Sequence, residues 1–525
     1  MSLRFPPLRG RRLLRASVLA AAVFVFLLPA PARAGGAPRD PGRAAVLDGE
    51  ECTIAVISGR ATADGRPILW KNRDTAYSDN EVAVFVDGTF KYLALINAGD
   101  AGNAWIGVNE RGFAILNALS YNLPDDLNEG ITNGRLMKQA LQICATVEEF
   151  EQYLELTNAI GRPNPANIAV IDAEGGAAIF EAGNRSFVRF DADDAVLAPE
   201  GFLARANFSL SADTTASDTY RYNRCRRLIL DGLSREGITT SYILQQVGRD
   251  LRSVDVDPYP LPFQGSPPGL PGAIGYVSTT NTINRRTTTA AGAVLGVLPG
   301  ENPLLSTFYA VVGPPIVTVP LPAWVAAGAT PEALDGSETS PLCDAAQERN
   351  RSLYDYSGSG ILLDTRGLRG PEATWLDLAE EIETWVFRQT ESHLARWRER
   401  GINPSEMRTA EYRIAQDGLT YYLGGAPSHR AEPVVLSAGP NPMKDSTVIR
   451  LLGSLPAPGA PVVAVFDVAG RMVARLSGSE EASVGKMNLP WNGCDDRGAP
   501  VPSGVYYLHS LELPGSPRAS IVVIR

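Results

Sequence analysis

The chain has 525 residues, 44% of them hydrophobic and 20% charged, with 50 glycines and 39 prolines. That length exceeds one ordinary core and predicts two to three domains, and the composition excludes a disordered chain while favouring a turn-rich, strand-rich architecture. The formal net charge of −10 argues against nucleic acid and anionic membranes as partners.

At the start, Arg4, Arg9, Arg11, Arg12 and Arg15 precede an apolar run from Ala16 to Leu28 and then "PAPARA". This is the pattern of a secretory signal peptide over residues 1–34, cut after Ala34 at the small-residue site formed with Ala32. The apolar run is shorter than the roughly 20 residues a spanning helix needs, so the expected product is exported, either secreted or held at the cell surface. Removal of this segment takes away six arginines and no acids, leaving 42 basic against 58 acidic residues and a net charge near −16. Residues 35–51, "GGAPRDPGRAAVLDGEE", show no periodicity and read as a pro-segment.

From Cys52 onward "CTIAVISGR" and "ILWKN", joined by "ADGRP", read as a hairpin. "EVAVFVDG" and "TFKYLALINAG" read as a second pair, and "WIGVNERGFAILNAL" as strands turning at Asn109–Gly112. The period then changes: Leu136, Ala140, Val147 and Phe150 stand at helical spacing through "GRLMKQALQICATVEEFEQYLEL". Strands resume in "ANIAVIDAEGGAAIFEAG", helices are predicted over 219–233 and 241–251, and the Pro- and Gly-rich stretch 254–272 is a long loop of the kind that often carries function. Strands return in "RRTTTAAGAVLGV" and "TFYAVVG", followed by an amphipathic helix over about 372–400. A linker is placed at 426–435, and residues 436–525 then show about seven short strands separated by turns, the pattern of a small β-sandwich.

The five cysteines, Cys52, Cys144, Cys225, Cys343 and Cys494, are scattered without a CxxC, so neither a disulfide framework nor a zinc site can be read from them. Cys144 and Cys225 fall on predicted helices and are expected in the core. Only three histidines occur, His393, His429 and His509, which disfavours Cys/His and Ser/His/Asp chemistry. If the pro-segment is removed, Cys52 carries a thiol and a free α-amine on one residue. An amine titrating near 7.7–8.0 can take the thiol proton at neutral pH, so no separate base is needed.

"CTIAVISGRATADGRPILWKNRD" followed by "GVNERGFAILNALS" resembles the cysteine N-terminal-nucleophile hydrolases. That superfamily includes choloylglycine hydrolases, acyl-CoA:6-aminopenicillanate acyltransferases of the C45 type and C69-type dipeptidases. The resemblance spans roughly residues 52–325 and implies an α+β, four-layer αββα catalytic domain over 52–425. It implies Cys52 as nucleophile, Asp74 orienting the Cys52 amine, Asn117 as an oxyanion donor, and Asn207 and Arg221 supporting the nucleophile, with Arg224 the alternate to Arg221. Lys71 falls where these enzymes often have arginine, with Arg73 nearby, so either can supply the local positive charge. Glu51 departs from the small residue common before such a cysteine.

Residues 436–525 contain "AGPNPMKDSTVIRLL", "VFDVAGR", "WNGCDDRG" and "SGVYY". They resemble FlgD-like immunoglobulin folds and the C-terminal sorting domains of type IX secretion cargo, with Trp491 expected to pack the sandwich. The resemblance implies secretion machinery or the cell surface as the partner of this region. For the whole chain the implied activity is hydrolysis of a linear, non-peptide amide through a thioester, acting on a small-molecule acyl amide with no metal or cofactor. A C69-like dipeptidase, an acyltransferase on the same scaffold and an inert surface-binding or adhesion protein are the alternatives.

Overall fold

The computed structural model describes residues 51–215, 217–235, 237–336, 339–354, 362–370, 375–424, 435–452, 463–476, 486–510 and 518–525. The signal peptide, the pro-segment apart from Glu51, and the linker apart from Val435 lie outside the described residues.

The first hairpin pairs β1 (Thr53–Ile57) with β2 (Ile68–Asp74), setting Ala55 opposite Trp70. Then come β3 (Asn80–Phe85), β4 (Tyr92–Asn97), β5 (Ile106–Asn109), β6 (Ala114–Leu119), β7 (Ala166–Ile171), β8 (Ala177–Ala182) and β9 (Phe187–Asp191). These seven pair in chain order as one antiparallel sheet. The chain returns to the first sheet through β10 (Phe202–Arg205), which pairs with β1. After β11 (Tyr276–Ser278), that sheet is extended beyond β2 by β12 (Thr288–Leu295), β13 (Thr307–Val311) and β14 (Leu321–Ala323). β15 (Leu362–Asp364) pairs with β11 as a separate ribbon.

Alternation along the strands decides the layering, because successive side chains leave opposite faces of a sheet. Ile54, Val56 and Leu69 share one core with Leu93, Leu95, Val108 and Leu116 of the seven-stranded sheet. Their neighbours Ala55, Ile57, Ile68 and Trp70 instead pack on Cys225 and Ile229 of the Tyr220–Leu233 helix and on Ile243 and Leu244. On the other side Tyr92, Ala94, Ile96 and Ile115 meet Leu136, Met137, Phe150 and Leu154 of the Asn133–Ile143 and Val147–Ile160 helices. The order is helix, sheet, sheet, helix, an α+β body. Cys144 and Cys225 are buried in it, as their helical positions implied.

The structure departs from the predicted elements where caps override periodicity. The helical stretch expected over 134–156 is two helices, because the Thr146 side chain accepts from the Glu149 amide at 3.2 Å and Glu149 accepts from the Ala145 amide at 2.7 Å. The Thr146 cap, with Glu149 reaching back to the amide of the residue before it, starts a new helix at Val147. The helix expected over 241–251 is one α-turn running into a π-helical segment, Ile243–Val247, that ends at Gly248. Helices at Pro341–Leu353 and Pro404–Tyr422 were not predicted, although Ser340 and Asn403 cap them and a proline opens each. Trp375–Arg400 is the long amphipathic helix expected there.

A buried ion pair ties the two sheets together beside the turn that leaves β10. The Arg205 Nε donates to the Glu181 carboxylate at 2.6 Å, and the same carboxylate accepts from the Leu210 and Ser211 amides at 2.8 and 2.7 Å. Breaking such a pair leaves a buried charge uncompensated, so Arg205→Met is expected to destabilise the protein by about 3–5 kcal/mol. A lowered denaturant midpoint is the readout.

The C-terminal strands form two antiparallel sheets among the described residues. One holds β16 (Val435–Gly439), β17 (Thr447–Leu452) and β20 (Lys486–Trp491), and the other β18 (Val463–Phe466), β19 (Met472–Leu476), β21 (Gly504–Ser510) and β22 (Arg518–Val523). They share a core that includes Ile449, Val465, Leu508 and Ile521, where Trp491 meets Tyr506 edge to face at 5.9 Å.

Candidate active site

Cys52 lies at the head of β1, 3% exposed, with Sγ 4.0 Å from the Asp74 carbonyl oxygen at the end of β2. Its backbone nitrogen donates to Asn207 Oδ1 at 2.9 Å. Asn207 sits just beyond β10, the strand on the far side of β1 from β2, and its Nδ2 donates to the Leu119 carbonyl at 3.1 Å. Arg221, in the first turn of the helix that covers this sheet, donates to the Cys52 carbonyl at 3.1 Å, to Thr53 Oγ1 at 3.3 Å and to Asn207 Oδ1 at 3.0 Å. Four of the sequence-derived residues, Cys52, Asp74, Asn207 and Arg221, therefore gather at one end of the hairpin.

Lys71 and Arg73 share a face of β2 but not a destination. The Lys71 Nζ donates to Asn117 Oδ1 at 2.8 Å, whereas Arg73 donates to Asn80 and Asn97, both at 2.7 Å, and lies over the Trp105 ring. Lysine only donates hydrogen bonds, so the Asn117 atom that faces it is the amide oxygen and the NH2 is turned the other way. Of the two candidate cations, Lys71 is the one joined to Asn117.

Sequence reasoning missed Arg285 and Thr288, and marked Glu51 only as a departure from the expected small residue. A bulge between Thr288 and Ala290 sets Thr288 opposite Asp74, where its hydroxyl donates to Asp74 Oδ1 at 2.6 Å and accepts from the Arg285 amide at 2.8 Å. Arg285 ion-pairs with Glu51, and Arg221 lies 3.5 Å from the same carboxylate. Both guanidinium groups also stand 3.9 Å from Asp74 Oδ2. The signal was present in "NTINRRTTTAAG", where two arginines and a threonine run open a strand.

Asp74 is 1% exposed, and its Oδ2 has no hydrogen-bond donor. Burial raises its pKa to about 7, against the lowering effects of Arg221, the Thr288 hydroxyl and Lys71. The folded chain thus holds the Asp74 proton to higher pH than the unfolded chain. The stability this contributes is complete below about pH 4 and is lost as pH rises through about 7. In a chain that retains Glu51, stability is expected to fall by up to about 1.4 kcal/mol per pH unit across that window. Denaturant midpoints read the slope: Asp74→Asn should remove it, and Thr288→Val should move its upper end to higher pH.

The remaining sequence features lie elsewhere. Arg224 pairs with Asp250 rather than joining the site, and with Tyr259, Pro260 and Leu261 of the 254–272 loop it lines a cavity of about 450 Å³. Cys343 is buried near the start of the Pro341–Leu353 helix, and Cys494 is partly exposed. His393 stacks on Trp397. Among the described residues no group of three His, Cys, Asp or Glu side chains is placed to hold a metal, and no helix is long and apolar enough to cross a membrane.

No protein-family model matches the chain, and no curated protein does. Solved structures similar to it include a conjugated bile acid hydrolase mutant from Clostridium perfringens, at 13% identity and TM-score 0.31 over 50% of this chain and 89% of that one. Another is penicillin V acylase from Agrobacterium tumefaciens, at 15% identity and TM-score 0.33 over 52% and 85%. A third, dimeric latent PorU from Porphyromonas gingivalis, has 19% identity and TM-score 0.17 over 19% of this chain and 10% of that one. Likeness this distant establishes neither family nor activity for the chain.

Proposed function

We propose that the chain is the precursor of an exported cysteine hydrolase of the N-terminal-nucleophile type, which cuts a linear, non-peptide amide once Cys52 is its first residue. The observation that carries this reading is the pair of atoms at the junction. Asp74 Oδ2 is buried without a hydrogen-bond donor, while the Cys52 nitrogen, held by Asn207, has one hydrogen and spends it there. Cleavage of the Glu51–Cys52 bond turns that nitrogen into an amine with further hydrogens. The carboxylate is an acceptor suited to orient it, and a positive amine beside Asp74 favours the ionised form that burial otherwise opposes.

In this mechanism the Cys52 amine takes the thiol proton and Sγ attacks the substrate carbonyl carbon. The Asn117 NH2, turned by Lys71, stabilises the tetrahedral oxyanion. The C–N bond then breaks, the amine returns the proton to the leaving nitrogen, and the acyl group stays on sulfur as a thioester. Water attacks the thioester with the amine as base, releasing the acid and restoring the thiol. Arg221 anchors the Cys52 carbonyl, so the nucleophile keeps its place after the upstream chain leaves. Residues 1–34 direct export, and we assign the C-terminal strands to an immunoglobulin-like module for sorting or surface attachment.

Intact mass and N-terminal sequencing of the secreted protein, with iodoacetamide labelling, test the proposal. A chain that begins at Cys52 and is alkylated there supports it. A secreted chain that begins at Gly35 with Cys52 unlabelled overturns it.

A further inference from the structure

Glu51 is the residue a small-residue preference would not place before the nucleophile, yet its carboxylate is held. It ion-pairs with Arg285 and lies 3.5 Å from Arg221. Arg221 already serves Cys52, Thr53 and Asn207, so Arg285 is the guanidinium matched to the Glu51 side chain. The Arg285 side chain is 14% exposed and that of Glu51 35%, so the guanidinium is the more shielded of the two. A guanidinium largely shielded from water binds carboxylate by charge-assisted hydrogen bonds that are stronger than neutral ones.

Maturation and turnover pass through the same kind of intermediate, and this gives the pair a second use. When Cys52 Sγ attacks the Glu51 carbonyl, a C–S bond forms, the Glu51–Cys52 C–N bond breaks, and the thiol proton passes to the Cys52 nitrogen. The acyl group then on sulfur is the one that ends in Glu51, and attack of water on this thioester breaks the C–S bond, releases the chain that ends in Glu51 and restores the thiol. In turnover the same sulfur carries the substrate's acyl group. Glu51 is thus the first acyl group the site holds, and its carboxyl carbon is separated from the scissile carbonyl by three carbons.

Building on the N-terminal-nucleophile reading, we propose that Arg285, with Arg221 at its side, forms a carboxylate subsite for the acyl half of the substrate, which Glu51 fills until cleavage. The substrate class is then an amide of a dicarboxylic acid, with a free carboxylate three carbons from the scissile carbonyl, as in a glutaryl amide. Released Glu51 leaves the Arg285 guanidinium to that group.

The test uses the mature secreted protein. The rate of Cys52 alkylation by iodoacetamide is measured with increasing glutarate or pentanoate, which match in length and differ in the second carboxylate. Hydrolysis of glutaryl- and pentanoyl-p-nitroanilide is measured in parallel. Glutarate is expected to protect Cys52 at about 10- to 100-fold lower concentration than pentanoate, the range of a hydrogen bond to a charged group. The glutaryl anilide should be favoured in kcat/KM by a similar factor. Arg285→Met should collapse both ratios towards one, and Arg285→Lys should restore part of them, whatever either variant does to the absolute rate. Equal protection by the two acids in a protein cut at Cys52 overturns the subsite and leaves the hydrolase reading standing. A protein not cut at Cys52 overturns both.

Discussion

A Cys52→Ala chain is expected to keep Glu51 joined to residue 52 and to lose amide hydrolysis by on the order of 10⁶-fold, the loss seen when a serine protease is stripped of its nucleophile. Both effects come from one atom. In the proposed mechanism Sγ is the attacking group in maturation and in turnover, and the two histidines among the described residues are engaged elsewhere: His393 stacks on Trp397, and His509 lies in β21. The variant keeps the burial at the head of β1, because the methyl group of alanine fits where a buried thiol stood. Mass spectrometry reads the uncut junction, and release of an acyl amine reads the activity. A variant that turned over substrate at a wild-type rate would place the nucleophile elsewhere.

The second large effect concerns the oxyanion. Asn117→Ala removes the amide donor and is expected to lower kcat by about 10²–10³-fold, as loss of one oxyanion-hole donor does. Lys71→Met should lose a comparable factor although Asn117 is intact, because nothing then fixes which end of that amide faces the substrate. Alkylation by iodoacetamide separates this role from activation of the thiol, since that displacement at a saturated carbon develops no oxyanion. If Lys71 acts through Asn117, the alkylation rate of Lys71→Met holds while acylation falls, and Lys71→Arg restores part of kcat. A parallel fall in alkylation would instead assign Lys71 to the thiolate.

Some of this arrangement could be read from residues alone, for a local reason. Cys52 and Asp74 lie at the open end of two strands joined by the local connection 58–67, so the hairpin pattern brings them close once it is recognised. The alternation of "CTIAVI" and "ILWKNRD" likewise names the faces of β1 and β2. Arg285 and Thr288 were not legible in the same way. They reach Asp74 because β12 pairs with β2 across more than 200 residues, and a period of two shows that a strand exists without showing its partner. The choice between Lys71 and Arg73 had the same difficulty. Both leave one face of β2, and only the positions of Asn117 on one side and Asn80 and Asn97 on the other divide them. The two unpredicted helices are a different matter, because their start signals, Ser340–Pro341 and Asn403–Pro404, are local and stand in the sequence itself.

The bulge in β12 bears on how this site could change by insertion or deletion. With one extra residue between Thr288 and Ala290, Thr288 stands against Asp74 and closes a tight turn back to Arg285. Loss of Thr289 would close the bulge, leave Thr288 opposite Asp74 and keep Arg285 three residues before it. Loss of a residue between Arg285 and Thr288 would instead keep the hydroxyl against Asp74 and draw Arg285 one position along the chain, away from its place beside Glu51. The length of the span from Arg285 to Thr288, and not the bulge, sets the guanidinium relative to Asp74.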